Sequence, residues 1–155
     1  MASAKLSTKS VGSIVKLKVN GTLRDFIVVH QGKPSSIYDA SCDGTWLLMK
    51  DIYETRQWHS SNVNDYANST IHSYLNSTFL NLFDANIRAQ IKQVKIPYRP
   101  GSGTSTSINS GANGLSCKIF LLSNIEMGGD PSWSYFPQDG AKLSYFILGT
   151  GTDAN

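Results

Sequence analysis

Residues 14–29 have the sequence Ile-Val-Lys-Leu-Lys-Val-Asn-Gly-Thr-Leu-Arg-Asp-Phe-Ile-Val-Val, and this stretch decides how the fold begins. Apolar and polar side chains alternate on both sides of Asn20-Gly21, which indicates two half-buried strands. The Asn-Gly pair favours a tight turn in which both residues have positive φ angles. The stretch therefore predicts a β-hairpin. Three side chains of its first strand are expected to face the core: Val15, Leu17 and Val19.

The next apolar segments predict a third strand and a helix that packs on the sheet. Residues 45–49 contain four consecutive apolar side chains, which is typical of a strand covered on both faces. Farther along, either Asn68 or Ser69 is expected to cap the main helix. The apolar residues of this helix recur at the spacing of an amphipathic helix. They are Ile71, Tyr74, Leu75, Phe79, Leu82 and Phe83.

The second half of the chain predicts shorter elements. Asp84 is expected to cap a short second helix. The alternation from Val94 to Tyr98 predicts a strand, and Pro97 places that strand at a sheet edge or makes this its end. Two further elements are expected, a buried strand over residues 117–122 and a short helix over residues 140–148 capped by Asp139.

A length of 155 residues suits one domain with its own core. We expect an N-terminal arm over residues 1–10, a single α+β domain over residues 11–148 and a flexible tail over residues 149–155. Within the domain, residues 101–114 are mostly Gly, Ser, Thr and Asn. Such a segment is too polar to pack, so it is expected to be a mobile loop.

Composition argues against two classes of partner. Charged residues make up 16% of the chain and the net charge is +3, without a contiguous run of Lys or Arg. This charge pattern does not favour nucleic-acid binding. The first nine residues contain no apolar segment of a signal peptide, and the longest apolar runs are too short to cross a bilayer. We therefore expect a chain made without a signal peptide and not inserted into a membrane.

Residues with reactive or metal-binding side chains are scattered. Cys42 and Cys117 form no Cys-x-x-Cys motif and no Cys/His cluster, so two buried free thiols are favoured over a disulfide. His30, His59 and His72 lack the spacing of metal ligands. We therefore expect no metal, no cofactor and no catalytic residue.

Two ionisable side chains have local explanations. Glu126 lies just beyond the predicted strand 117–122, where a functional site is one interpretation and a cap is the favoured one. His72 falls on the polar side of the predicted main helix. Neither position requires a catalytic role.

Aromatic side chains in or near loops are the candidates for contact with a ligand or partner. Such rings stack on sugars or anchor a protein interface. The alternative is that most of them close the edge of the core. The residues predicted to contact a ligand or partner are Trp58, Tyr66, Trp133, Tyr135 and Phe136.

Several segments together resemble a known family. They are residues 46–50, residues 66–76 with Phe79-Leu80, residues 91–94 and residues 118–123. Taken together they are similar to a domain of unknown function that is common in gut Gram-positive bacteria and their phages. The resemblance implies the C-type-lectin-like fold shared with sulfatase-modifying-factor proteins. The helix pattern aromatic-x-Asn-Ser-x-Ile/Leu-x-x-x-Leu-Asn is its most specific part.

The resemblance also implies that part of the sheet is missing, so the chain is expected to be either a part of a longer protein or a shortened version with a new use. Members of that family usually continue into a Trp-Trp-Leu-Arg-Ser strand and a Gly-Val-Arg-Pro segment, and neither is present up to Asn155. The expected fold is thus an N-terminal hairpin and a small, mostly antiparallel sheet on one main and one or two short helices. A shortened sheet exposes an unpaired edge. We therefore expect self-association or a protein partner at that edge.

These features favour a non-catalytic binding or structural module. The resemblance implies a phage virion protein of the tail, baseplate or decoration, or a surface protein, that presents loops to a protein or glycan receptor. An alternative is a small phage-encoded inhibitor that binds a host defence protein, as anti-CRISPR proteins do. An enzyme related to sulfatase-modifying factors is disfavoured because the cysteines form no recognisable site. The expected location is the virion or the medium after lysis, or the host cytoplasm for an inhibitor.

Overall fold

A computed structural model describes residues 5–61, 64–101, 107–129 and 138–147. Its strands are β1 (Ile14–Val19), β2 (Thr22–Gln31), β3 (Thr45–Met49), β4 (Val94–Ile96) and β5 (Leu115–Cys117). Its α-helices are α1 (Thr70–Tyr74), α2 (Ala85–Arg88) and α3 (Ser144–Ile147). Antiparallel pairing gives one sheet in the order β1-β2-β3 and a second sheet of β4 and β5. The described chain is therefore a mixed α/β fold with small antiparallel sheets and few helices.

The predicted hairpin is confirmed. β1 and β2 pair antiparallel, with Val19 opposite Thr22, so two residues form the turn. These residues, Asn20 and Gly21, have φ angles of 48° and 73°. Burial alternates along β1 because its odd-numbered side chains face the core. On the solvent side, the Lys16 ammonium lies 2.9 Å from the Asp25 carboxylate.

Both faces of the three-stranded sheet are covered by apolar side chains. One face packs Val19 and Phe26 against the buried side chains of the main helical segment. The opposite face carries Val29 and Trp46, which pack with Tyr38 and other buried residues. In β3, Trp46 and Leu48 pack in one of these clusters, and Leu47 and Met49 pack in the other. The prediction that β3 is covered on both faces is therefore confirmed.

The main helical segment begins where the sequence indicated, with Ser69 as its N-cap. The Ser69 hydroxyl oxygen accepts from the His72 backbone N–H at 3.1 Å. α1 continues as a π-helical turn over Leu75–Phe79 and a 3-10 turn over Leu80–Leu82. Polar side chains account for this change, because Asn76 donates to the His72 carbonyl and Ser77 to the Ser73 carbonyl. Leu75, Phe79 and Phe83 are buried against the sheet.

Predictions for the next elements are confirmed in part. Asp84 occupies the N-cap position of α2 but its side chain accepts no capping hydrogen bond. Instead, the Asn86 side-chain oxygen accepts from the Ile87 N–H. β4 ends at Ile96, directly before Pro97, as the proline indicated.

The strand predicted over residues 117–122 is wrong beyond its first residue. β5 covers Leu115–Cys117 and then the backbone leaves the sheet. The reason is the Asn76 side chain, whose Oδ1 accepts from the N–H groups of Lys118 and Ile119 at 2.7 and 3.2 Å. Its Nδ2 donates to the Ile119 carbonyl at 2.8 Å. A helix side chain thus supplies the partners that a neighbouring strand would have provided.

The helix predicted over residues 140–148 is shorter, since α3 covers Ser144–Ile147. Asp139 is therefore not its cap. Gly140 packs tightly on Glu126, and the Ala141 N–H donates to the Tyr38 hydroxyl oxygen at 3.0 Å, so this part of the backbone follows other contacts.

The described part of the 101–114 loop carries local structure. Residues 111–113 form a 3-10 turn, and Asn109 pairs with Tyr98 in an isolated bridge. Residues 102–106 lie outside the described ranges, as do residues 1–4 of the arm and the tail over 149–155. The mobility of the loop stays a prediction. None of the helices in the described ranges has the length and apolar character needed to cross a membrane.

Candidate functional site

The predicted contact residues Trp58 and Tyr66 lie together on the surface. The Trp58 side chain is 39% exposed. Its ring centroid is 5.6 Å from that of Tyr66, with an angle of 38° between the planes. Tyr66 in turn meets His72 edge-to-face, with centroids 5.1 Å apart. We call this stack of Trp58, Tyr66 and His72 the Trp58 surface.

The backbone of Trp58 is held by the first turn of α1. The Ile71 N–H donates to the Trp58 carbonyl oxygen at 3.1 Å. The Thr70 N–H donates to Nδ1 of the neighbouring His59, also at 3.1 Å. Together with the Ser69 cap, these contacts satisfy N–H groups that the start of a helix leaves without partners. Trp58 is therefore attached to a helix rather than free to move with a loop.

Tyr66 packs against Trp58, and its hydroxyl is held by the main chain. Its hydroxyl oxygen accepts from the Leu121 N–H at 3.0 Å. Burial raises the pKa of this phenol well above its usual range. The Tyr66 ring is therefore uncharged and forms the surface on which Trp58 packs. Trp58 is the member of the pair that faces solvent.

His72 does not lie on a polar helix face as predicted. Its ring packs against Tyr66, and burial lowers its pKa. The His72 Nδ1 is buried without a hydrogen-bond partner among the described residues. His72 is therefore a neutral imidazole packed against Tyr66, and not a residue of the polar helix face.

An ion pair on an aromatic ring flanks the Trp58 surface. The Arg56 guanidinium lies 3.6 Å from the centre of the Tyr74 ring. Its Nε is 3.3 Å from a carboxylate oxygen of Glu54. The Tyr74 hydroxyl donates to the same carboxylate, and this hydrogen bond, followed by Arg56, lowers the pKa of Glu54. The segment that leads to Trp58 is thus fixed by its side chains.

Trp133, Tyr135 and Phe136, the other predicted contact residues, lie outside the described ranges. Their role stays a prediction. Tyr53, a further aromatic residue near this segment, packs edge-to-face on Phe79 with centroids 5.2 Å apart. It closes the edge of the core, as the alternative interpretation of the loop aromatics proposed.

Glu126 is a buried carboxylate, and the structure supports its interpretation as a cap. Its carboxylate accepts from the Tyr38 hydroxyl at 2.7 Å and from the Ser123 N–H at 2.8 Å. The Glu126 N–H donates to the Ser123 hydroxyl oxygen at 3.2 Å, which completes a reciprocal capping box. The side chain is 3% exposed, and burial raises its pKa to about 7.

Gly140 separates this carboxylate from a nearby cavity. A Cβ atom on Gly140 would lie 2.7 Å from both Glu126 Cγ and Ser123 Oγ. The cavity beyond it has a volume of about 570 Å³, and Lys142 is the ionisable residue among those that line it. Glu126 therefore organises the fold and does not face the cavity.

Three further reactive side chains, those of Ser144, Cys42 and Cys117, are held within the fold. The Ser144 hydroxyl lies 2.7 Å from His30 Nδ1, and the Ser144 N–H donates to the same nitrogen at 3.3 Å, so His30 holds the start of α3. Cys42 and Cys117 are buried and free, as predicted. Burial raises the pKa of Cys117 to about 12, which keeps it a thiol. Within the described ranges, no three His, Cys, Asp or Glu side chains are grouped to hold a metal ion.

Sequence could have located part of this arrangement. The Ser123 to Glu126 spacing is that of a capping box, which supports the cap interpretation. By contrast, no local pattern indicates that His59 accepts from Thr70, since 11 residues separate them. The attachment of Trp58 to the helix depends on the tertiary fold.

Comparison with known proteins gives one family. The family described as domain of unknown function DUF6273 matches residues 43–155. Neither the curated proteins nor the solved structures contain a match to the chain. The matched residues include β3, the main helical segment and the Trp58 surface, and they make up more than two thirds of the sequence. The chain belongs to the DUF6273 family.

Proposed function

We propose that this protein is a non-catalytic binding or structural module that acts by contact through the Trp58 surface. The observation that carries the proposal is an exposed indole whose backbone is attached to the first turn of a helix. An aromatic ring that is already held in place loses little conformational entropy on binding. Exposed Trp side chains are frequent anchors of interfaces because they bury a large area with few rotatable bonds.

The polar residues next to the Trp58 surface in the sequence are hydrogen-bonded to one another, and the nearby Arg56 is paired with Glu54, which suits a ligand without strong charge. Asn68 donates to the Asp65 carboxylate at 2.6 Å, and Thr70 and His59 are hydrogen-bonded to each other. Polar groups of this kind form the rim of a contact site without attracting a strongly charged ligand. A protein or a glycan meets this description.

Contact is favoured over chemistry because the perturbed groups serve the fold. Glu126 lies in a capping box, His30 holds α3, and the two thiols are buried. Each of these groups thus has a structural explanation.

The broader setting is also part of the proposal. We propose a C-type-lectin-like fold, supported by the small antiparallel sheets and by the family resemblance of the sequence. The same resemblance supports a phage virion component of the tail, baseplate or decoration, or a surface protein, that meets a receptor.

A binding experiment with a matched control tests the proposal. The wild-type chain, Trp58→Ala and Leu23→Ala are labelled and applied to a glycan array and to intact Gram-positive cells. Leu23 is the control because it is an apolar residue of the hairpin that is 58% exposed. We expect binding by the wild type and by Leu23→Ala, and loss of that binding in Trp58→Ala with unchanged thermal unfolding. Equal binding by all three folded proteins, or binding by none, would contradict the proposal.

A further inference from the structure

The main chain after β3 has unused hydrogen-bonding groups. Residues 52–57 run without a turn or a bend. Within the described part of the chain, no N–H or carbonyl group of residues 51–57 has a hydrogen-bond partner. The side chains nevertheless hold this segment, because Tyr53 packs on Phe79 and Arg56 lies on Tyr74. An extended backbone that is fixed but unpaired is a template for another strand.

The side chains of this segment are complementary to themselves. In an antiparallel pairing centred on Thr55, Glu54 of each copy faces Arg56 of the other. Opposite charges at facing positions stabilise antiparallel strands.

The edge strand β1 differs in this respect. Lys16 and Lys18 are exposed there, and pairing of β1 with its own copy would bring positive charges together. Lysine on an edge strand is a common protection against such pairing. Residues 53–57 carry one charge of each sign at equal distances from Thr55, so they suit a second copy where β1 does not.

We infer that two copies of this chain associate by antiparallel pairing of residues 53–57 about Thr55, with Glu54 of each copy opposite Arg56 of the other. The arrangement is a two-fold interface, in which the same residues contribute from both sides. This inference goes beyond the proposed function, because its partner is a second copy of the chain and its contact lies beside the Trp58 surface.

A cysteine at the centre of the interface tests the register. In the two-fold pairing, Thr55 faces Thr55 of the other copy with Cα atoms about 4.5–5.5 Å apart. This separation is within the range of about 4.4–6.8 Å that disulfides span. The native thiols are buried and do not compete. We expect Thr55→Cys to form a covalent dimer under mild oxidation at low protein concentration, whereas Leu23→Cys on the exposed hairpin stays monomeric.

Charge exchange tests the pairing without a cross-link. Glu54→Arg places like charges opposite each other and is expected to weaken the dimer several-fold in sedimentation velocity. Because Glu54 and Arg56 also pair within one chain, the rescue uses a mixture of Glu54→Arg and Arg56→Glu, which places opposite charges together only between copies. The mixture is expected to associate more strongly than either single variant alone. Circular dichroism of each variant confirms that it is folded.

The outcomes separate the inference from the proposed function. A monomeric wild type with no more cross-linking of Thr55→Cys than of Leu23→Cys overturns the inference, as does a mixture of Glu54→Arg and Arg56→Glu that associates no better than either variant alone. If Trp58→Ala still loses glycan or cell binding in that case, the proposed function stands. Dimerisation together with an absence of glycan and cell binding leaves the inference in place and contradicts the receptor-binding role.

Discussion

The Ile71 N–H donates to the carbonyl oxygen of Trp58 at 3.1 Å, which joins the exposed indole to the first turn of α1. A residue 13 positions earlier in the sequence thus satisfies a helix N–H that has no partner within the helix. The same residue carries the aromatic ring that we propose as the contact site. The stability of the helix start and the position of the ring are therefore coupled.

His59→Ala tests how much this junction contributes to the stability of the helix start. The variant removes the imidazole nitrogen that accepts from the Thr70 N–H. We expect the free energy of unfolding to fall by about 1 kcal/mol, the usual cost of losing a helix cap. Urea denaturation measures this loss. Ser69→Ala, which removes the neighbouring cap, should cost a similar amount, while Ser60→Ala in the adjacent exposed segment should leave stability unchanged.

Glu126 predicts a pH dependence of stability. Its pKa is raised from 4.5 to about 7 in the folded protein, mainly by burial. Between these values the unfolded chain releases its proton while the folded chain retains it, so stability falls as pH rises. The loss attributable to Glu126 is on the order of 3 kcal/mol between pH 4.5 and pH 7. Urea denaturation across this range measures it.

A matched variant isolates the Glu126 contribution from that of other groups. The pKa values of His30 and His72 are lowered by burial, and these residues make stability rise with pH in a similar range. Glu126→Gln retains both histidines and removes the titration at residue 126. The difference in stability between wild type and variant should therefore shift against the wild type as pH rises. A difference that is constant with pH would contradict the prediction.

Asn76 is expected to be a major contributor to the junction between helix and sheet. Its side chain makes hydrogen bonds to the backbone of Lys118 and Ile119. Asn76→Ala leaves these backbone groups without partners and should lower the free energy of unfolding by about 2–3 kcal/mol. Asn81→Ala removes an exposed amide of the same helical segment and should leave stability nearly unchanged. A loss for Asn76→Ala no larger than that for Asn81→Ala in thermal denaturation would contradict the prediction.

Gly140→Ala should destabilise the fold by about 1–3 kcal/mol, since the new methyl group overlaps Glu126 and Ser123. Gly44→Ala is the control. A Cβ atom there would lie 3.5 Å from the flexible side chain of Lys92, which is an ordinary contact. Differential scanning calorimetry of the two variants should show a lower melting temperature for Gly140→Ala alone.

Prediction from sequence succeeded where the determining contacts are local. The Asn20-Gly21 turn joins adjacent strands, and the Ser69 cap bonds a residue three positions away. It failed at residues 118–122, because the apolar run resembles a strand while Asn76, more than 40 residues earlier, takes its hydrogen bonds. No propensity of the run itself indicates that partner.

The sequence by itself determined the hairpin, the start of the main helix and the apolar faces of the sheet, because periodicity and capping act within a few residues. Only the tertiary structure decided which polar groups are used for the fold. Glu126 meets Tyr38 across 88 positions, and Trp58 is placed by its bond to Ile71. Burial and long-range hydrogen bonds depend on how the elements pack, so they set the pKa of Glu126 and the position of the indole.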